Sequence, residues 1–330
     1  MRSFDIAGIP VPNRYVLGPM AGITDYSFRK VCSDCGAGLV YSEMESCDAI
    51  VYRSEATKED ALATHLDKKS EGETKLAFQI FGGKPEFVLK SIPIFESLAE
   101  FDFLDFNCGC PVPKVLKQGS GSRWLQRQDE LIDLLGKMVE VSHHPVIVKV
   151  RTGFDSEIDL PALARRMEDV GVQAIAIHGR TRNQFFSGPV NYSLIRKVKE
   201  SVSIPVLANG GIDDQNAASV LEQTGADAVM IATKALGYPK VFENLIRKEE
   251  GKDPLPDSLL RQIDDLEKHI ELVFSYKDSK KASDILRGIS THYIRGFENS
   301  ATIRASLVHC TRKEDYLSLL EGLKRNLTAF

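Results

Sequence analysis

A chain of 330 residues, 43% hydrophobic and 27% charged, has the length for one large domain with a smaller one attached and the composition of an ordinary globular protein, which excludes a disordered or fibrous chain. A net charge of −4 excludes a protein that is basic throughout, and leaves local basic patches open. No apolar run reaches the length of a membrane span, residues 1–5 lack the apolar core of a signal peptide, and six cysteines in so long a chain point to reduced thiols in the cytoplasm.

Residues 15–20 predict a first strand, and Thr24-Asp25 supplies the cap of the helix after it. Apolar runs at 38–44, 75–80, 102–107, 145–150, 174–178, 205–209 and 228–231 predict seven more strands. They are nearly continuous in apolar character, as strands buried on both faces are. Helix-length amphipathic segments lie between them. In 160–170 the apolar positions Leu160, Leu163, Ala164, Met167 and Val170 share one helical face, and 131–141, 213–223 and 85–98 behave alike, the last carrying Pro93 as a candidate kink. Eight strand–helix units in about 250 residues predict an α/β fold of the (β/α)8 TIM-barrel type. A doubly wound open sheet is the alternative; the count of eight and the lack of a Gly-x-Gly-x-x-Gly fingerprint favour the barrel.

A barrel carries its active site at the C-terminal ends of its strands. Those ends hold Pro19-Met20, Glu43, Gln79, Asn107 with Cys110, Lys149 with Arg151, His178 with Arg180, and Asn209. Any one of them serves equally well as a helix cap; seven polar or special strand ends are hard to assign to capping alone. The fourth strand ends in Asn107-Cys108-Gly109-Cys110-Pro111, where the pattern suits a metal pair, a redox pair or a single working thiol. Cys108 falls on the buried side of the strand end, whereas Cys110 stands past it and faces the mouth. Cys32-x-x-Cys35 has half the ligands of a zinc site and no second pair to complete it, so it reads as buried structural cysteine and no metal is expected. Trp124, the one tryptophan, suits either a base-stacking platform near the mouth or the core.

Residues 251–256 are a linker by composition, dividing a barrel over 1–250 from a helical domain over 257–330. Leu259, Ile263, Leu266, Ile270 and Val273 recur at helical spacing, as do Leu317, Leu320 and Leu323. Between 280 and 313 the bases Lys280, Lys281, Arg287, Arg295, Arg304, Arg312 and Lys313 outnumber Asp284 and Glu298. Such a bias is usually a solvated face; beside a catalytic barrel it also suits contact with a phosphate backbone.

Pro19-Met20-Ala21-Gly22-Ile23-Thr24-Asp25, Gln79-Ile80-Phe81-Gly82, Asn107-Cys108-Gly109-Cys110-Pro111, Lys149-Val150-Arg151-Thr152-Gly153, His178-Gly179-Arg180-Thr181-Arg182, Ala208-Asn209-Gly210-Gly211-Ile212 and Gly225-Ala226-Asp227 follow one another as the motifs of the tRNA-dihydrouridine synthases do. The chain resembles that family over the whole barrel. The resemblance implies a flavin oxidoreductase that binds FMN, uses NADPH to reduce it, and converts uridine in tRNA to 5,6-dihydrouridine, the helical tail binding RNA. It implies that Cys110 protonates carbon 5 of the uracil, that Lys149 reaches the flavin ring, and that Pro19, Met20, Ala21 and Gln79 line the ring. It places His178, Asn209, Gly210 and Gly211 at the phosphate end. Ala232-Thr233-Lys234 stands where the family has Gly-Arg, so backbone amides at Ala232 and Thr233, the Thr233 hydroxyl and the Lys234 cation are expected to take over there. Ser122-Arg123-Trp124 is bulkier and more charged than the family's loop, and Arg287-Gly288-Ile289 stands where the family has Arg-Lys-His. A monomer without membrane contact is expected. Two other classes stay open: an FMN oxidoreductase of a small pyrimidine, and an RNA-binding relative without flavin.

Overall fold

The computed structural model describes residues 2–53, 72 and 74–328; Met1 and residues 329–330, the ends of the two expected domains, lie outside the described residues, as do 54–71 and 73 within the expected barrel. The chain opens on a hairpin that the periodicity did not suggest, β1 (Phe4–Ile6) and β2 (Ile9–Val11), paired antiparallel. Its turn is Ala7-Gly8, with φ of 54° and 83° at the two residues, the left-handed pair that a two-residue hairpin requires. Three-residue strands are too short for alternation to reveal them.

Eight parallel strands follow: β3 (Tyr15–Leu17), β4 (Leu39–Ser46), β5 (Lys75–Phe81), β6 (Phe103–Cys108), β7 (Val146–Arg151), β8 (Ile175–His178), β9 (Val206–Asn209) and β10 (Ala228–Ile231). Each pairs with the next, and β10 pairs with β3, closing the barrel. All eight expected strands are present. β3 is shorter than expected because Pro19 has no N–H to give the ladder; the last bond there runs from Gly18 N to Ile231 O at 2.8 Å. The helix expected from Asp213 begins only at Ala217, because the Asp213 carboxylate accepts from the amides of Gln215 and Asn216 and holds a turn instead. The helix Pro85–Leu98 runs through Pro93, and Leu160–Asp169 is capped by Asp159, which accepts from Ala162 N at 3.1 Å.

Side chains of successive residues on a strand point to opposite faces. Val16, Leu39, Tyr41, Ala77, Phe103, Ile147, Ala176, Leu207 and Met230 pack inside the barrel together with Ile6 and Val11 of the hairpin, which therefore closes its floor. The alternate residues, among them Leu17, Val40, Phe78, Phe106, Cys108, Val150 and Ile177, pack outward against the helices. Residues 250–258 form no helix or strand. Beyond them the helices Leu259–Tyr276, Ser279–Ile289, Ser300–His309 and Lys313–Thr328 build a second core around Ile263, Leu266, Ile270, Val273, Leu286 and Leu320.

Polar contacts tie this helical region to the barrel. The Asp25 carboxylate caps the helix Tyr26–Asp34 by accepting from Phe28 N, and it also accepts from Ser27 Oγ and, at 2.7 Å, from Tyr276 Oη. His269, fully buried, bridges Ser27 Oγ at 3.0 Å and Tyr293 Oη at 2.9 Å. Lys240 and Asp265 form an ion pair at 3.2 Å across the same junction. Burial holds the His269 imidazole down to about 4, opposed by the negative charge of Asp25. The unfolded chain therefore takes up a proton that the native state refuses, and stability from this residue is complete above about 6.5 and lost as the pH falls towards about 4. A His269→Gln variant, compared with the wild type in thermal melts from pH 7 down to pH 4.5, is expected to lose less of its Tm over that range; parallel losses would count against this assignment.

Candidate active site

Because the inward positions alternate, those above the apolar layer open at the C-terminal mouth. There they border a cavity of about 520 Å³, within the usual range for a small-molecule site. All twelve residues singled out as site candidates line it: Pro19, Met20, Ala21, Gln79, Cys110, Lys149, His178, Asn209, Gly210, Gly211, Ala232 and Thr233. Asn107, Arg151, Arg180 and Lys234 line it too. Glu43, expected on the same rim, is not among the lining residues; its carboxylate accepts from Gly22 N.

One wall is a chain of hydrogen bonds across neighbouring strands. Asp105, wholly buried on β6, accepts from Gln79 Nε2 on β5 at 2.6 Å. Gln79 Oε1 accepts from Asn107 Nδ2 at 2.8 Å, and Asn107 Oδ1 accepts from Gly109 N at 3.1 Å and Cys110 N at 2.9 Å. The amide orientations of Gln79 and Asn107 follow from the carboxylate, which can only accept until it is protonated. The chain ends on the backbone that carries the Cys110 thiol. Ser122 N and Ser122 Oγ fasten Cys110 O from the other side, each at 3.1 Å. Met44 joins this wall because β4 shifts register between Tyr41 and Met44, and its Sδ lies 3.6 Å from Asn107 Nδ2.

Burial pushes the Cys110 thiol up, against the pull of the Val112 amide and of the Arg151 and Lys149 charges, so the sulfur keeps its proton at neutral pH. Burial, with repulsion from Arg151, lowers Lys149 to about 8, opposed by Asp105 and Cys110; its Nζ donates to Asn209 Oδ1 at 3.1 Å. Asn209 is held in turn by donating Nδ2 to Met230 O at 2.8 Å. Arg151 is buried and gives its guanidinium to the carbonyls of Gly109, Thr181 and Phe185, so it braces the loops after β6 and β8. His178 is held down to about 2 by burial and by the charges of Lys149, Arg151 and Arg180, and is a neutral imidazole.

At the far end of the cavity the chain turns through Gly210 and Gly211, with φ of 119° and 64°. A Cβ at Gly210 would come within 2.9 Å of His178 Cδ2, so the backbone approaches the cavity as only glycine allows. Tyr192 Oη pins the turn by donating to Gly210 O at 2.7 Å. The backbone N–H groups of Gly211, Ala232 and Thr233 have no partner among the described residues. Such amides on a concave wall suit an anion such as a phosphate. Lys234 stands beside them, 3.5 Å from Asp213 Oδ2.

The structure resolves the choice for Trp124: it is fully buried, donates Nε1 to Gly82 O at 2.8 Å, and packs against Phe106, so it belongs to the core. Cys108 faces the helices and Cys32 is fully buried among them. Of the basic tail residues, Lys281, Arg287 and Arg312 pair with Asp278, Asp284 and Asp315, which weakens the net bias counted between 280 and 313. The sequence reading missed Asp105 and Phe186. Asp105 was findable from parity, since it stands two residues before Asn107 on the same face; Phe186 was signalled by the Phe185-Phe186 pair in an otherwise polar loop.

Asp105 is raised to about 7 by burial, against the Gln79 hydrogen bond and the Lys149 charge, and its Oδ1 has no hydrogen-bond partner. A carboxyl raised in the folded state binds its proton more tightly there than in the unfolded chain, so stability from it is present below about 4 and is lost as pH rises through about 7. Asp105→Asn keeps an oxygen for Gln79 and removes the titration. Its Tm relative to the wild type is expected to improve between pH 5 and pH 8; a constant difference across that range would contradict a titrating Asp105.

Comparison with known proteins bears on the whole chain. The family model described as "Dihydrouridine synthase (Dus)" matches residues 16–328. The protein is similar to tRNA-dihydrouridine synthase B of Pasteurella multocida, 36% identical over 322 residues covering 96% of this chain and 94% of the relative. It is also similar to tRNA-dihydrouridine synthase B of Vibrio cholerae, 33% identical over 328 residues covering 98% and 99%. Among solved structures, a morphinone reductase mutant in complex with tetrahydroNAD matches with a TM-score of 0.55 at 12% identity, covering 77% of this chain and 92% of that one, a likeness of fold alone. With a family model spanning nearly the whole chain and relatives above 30% identity along its length, the protein belongs to the dihydrouridine synthase family.

Proposed function

We propose that the protein reduces the uracil ring of a uridine in tRNA to 5,6-dihydrouridine, with FMN in the mouth cavity, NADPH as the reductant, and the Cys110 thiol as proton donor. The observation that carries this reading is a protonated, part-buried thiol on the wall of the same cavity as Gln79, Lys149 and the glycine turn. The names of the curated relatives, tRNA-dihydrouridine synthase B, support the substrate. The residues present suit FMN. Gly210, whose place a Cβ would fill, and the unpartnered amides of Gly211, Ala232 and Thr233 would hold the phosphate; Pro19, Met20 and Ala21 would flank the ring, with Gln79 and Lys149 at its polar edge.

Reduced FMN, when bound, supplies the hydride for carbon 6 of the uracil, and NADPH restores it. The ring that accepts a hydride at carbon 6 gains negative charge spread over carbon 5 and the adjacent carbonyl oxygen. Cys110 quenches it: the S–H bond breaks, a C–H bond forms at carbon 5, and the sulfur is left as a thiolate that solvent reprotonates. A raised thiol suits a donor, because it is protonated before the step. Lys149 and Arg151 lie close enough to lower the thiolate's energy afterwards. Lys149, at about 8, is mostly charged at neutral pH and favours negative charge in the cavity. His178, neutral, can orient a polar group and adds no charge. The side-chain hydrogen bonds from Asp105 through Gln79 and Asn107 to the Cys110 amide keep the thiol at a fixed place, which positioned proton transfer needs.

In single-turnover oxidation of pre-reduced enzyme by an unmodified tRNA transcript, Cys110→Ala is expected to slow uracil reduction about 100- to 10,000-fold, the usual range for a lost general acid. Reduction of the flavin by NADPH should be preserved in that variant. Cys108→Ala, whose side chain faces the helices, should change the rate little. An inactive Cys108→Ala, or an unimpaired Cys110→Ala, would overturn the assignment, and wild-type protein that stays colourless after incubation with FMN would overturn the reading as a whole.

A further inference from the structure

The loops that leave β6, β7 and β8 meet in one cluster on the rim. Arg123 comes from the first, Phe154 from the second and Arg182 from the third. Their guanidinium carbons stand 4.6 and 5.0 Å from the centroid of the Phe154 ring. That ring is buried, so it is a fixed base for the two long side chains. Each guanidinium donates to a neutral amide: Arg123 to Gln126 Oε1 at 2.6 Å, and Arg182 to Asn183 Oδ1 at 2.8 Å. The nearby carboxylate of Asp155 is taken by the same two amides, with Gln126 Nε2 and Asn183 Nδ2 each donating to it at 3.3 Å. Neither arginine has an ion-pair partner among the described residues.

Several other surface arginines are neutralised locally. Arg127, Arg287 and Arg312 each pair with a carboxylate three residues away on their own segment. Arg123 and Arg182 are aimed by groups that leave their charge in place, and each guanidinium has five N–H groups, most of them uncommitted here. The same rim holds two exposed aromatic rings. Phe185 and Phe186 are 42% and 60% exposed, with ring centroids 4.6 Å apart, and Phe186 borders the cavity. Phe185 sits at a φ of 53°, a conformation disfavoured for a bulky residue, and keeps its ring outward all the same. Unpaired arginines beside exposed aromatics are what an unpaired nucleic-acid strand requires, the charges for its phosphates and the rings for its bases.

We propose that Arg123 and Arg182, held on Phe154, form a docking point for the phosphodiester backbone of the RNA strand whose uridine enters the cavity. The proposal rests on the tRNA reading above and assigns to the barrel rim part of the RNA contact expected of the tail. The competing role is a staple that joins three loops and touches no RNA.

The test is the salt dependence of binding of an unmodified tRNA transcript to the full-length protein, with FMN affinity measured alongside by absorbance. The Arg123→Gln/Arg182→Gln pair is expected to bind the transcript about tenfold or more weakly at moderate salt, as loss of charged hydrogen bonds implies. Its slope of log affinity against log salt should fall by roughly 0.7 to 0.9 per arginine removed. FMN affinity should stay at the wild-type value. The Arg123→Lys/Arg182→Lys pair keeps the charges and should restore the slope. The single variants Arg123→Gln and Arg182→Gln, each expected to lose half of the slope change, serve if the double variant fails to fold. A slope equal to the wild type in the glutamine variants, or a lysine pair as flat as the glutamine pair, overturns the docking point and leaves a staple. Wild-type protein that binds FMN but no tRNA overturns the tRNA reading and this proposal together.

Discussion

The constraint on which the rest depends is that every barrel strand has only two faces. A residue on the inner face must either pack in the closed interior or open at the mouth, and height along the strand decides which. On β7, Ile147 packs inside, while Lys149 and Arg151, two and four residues later on the same face, reach the cavity. On β9, Leu207 is interior and Asn209 lines the mouth; on β8, Ala176 is interior and His178 lines it. A one-residue slip of any strand would send these groups among the helices and bring an apolar residue to the site. The apolar sets on both faces thus hold the register, and the register places the chemistry.

Asp105 is the exception that gives the site its order. It sits where parity would favour an apolar residue, wholly buried and with one oxygen lacking a partner, a situation that costs about 1–3 kcal/mol. What it provides is direction. Gln79 and Asn107 are fixed from both ends: the Gly109 and Cys110 amides, which can only donate, require Asn107 Oδ1, and at the other end Gln79 gives its Nε2 to Asp105. A buried polar chain in which each member is fixed by the one before specifies a single arrangement of the wall better than apolar packing would. The same low-dielectric surroundings raise the Cys110 thiol and lower Lys149 and His178, so one environment yields a protonated sulfur, a cation of reduced affinity for its proton and a neutral imidazole within one cavity.

The helical region is joined to this barrel through polar groups rather than through one shared core. Most of its apolar residues pack among themselves, with Leu236 of the barrel against them, and the junction runs through Asp25, Ser27, His269, Tyr276 and Tyr293 beside the ring contact of Tyr26 with Tyr276. Such bonds are directional, so they fix orientation where an apolar contact would allow sliding. Asp25 serves twice, as helix cap in the barrel and as acceptor for the tail, which couples the first helix after β3 to the position of the helical region.

The eight strands and the polar residues at their ends were legible in the sequence, because each is a matter of periodicity or spacing along one segment. The twelve site candidates came from strand ends and from resemblance to a family, and the barrel's closure brings them to one cavity. What the sequence did not contain was any relation between segments. That Gln79 answers to Asp105 depends on the register of β5 against β6; that Trp124 is core depends on Gly82 reaching it from another loop; that Arg123 and Arg182 share a ring depends on three loops arriving at one point. Charge pairing in the tail is local by contrast: Asp278 and Asp315 stand three residues from Lys281 and Arg312, so the pairing follows from spacing, and both acids lie just outside the stretch 280–313 over which the bases were counted. Local pattern determines which faces are buried, because burial depends on the residue's own side chain; partners distant in the sequence, and the pKa and orientation they set, are properties of pairs that the tertiary structure alone decides.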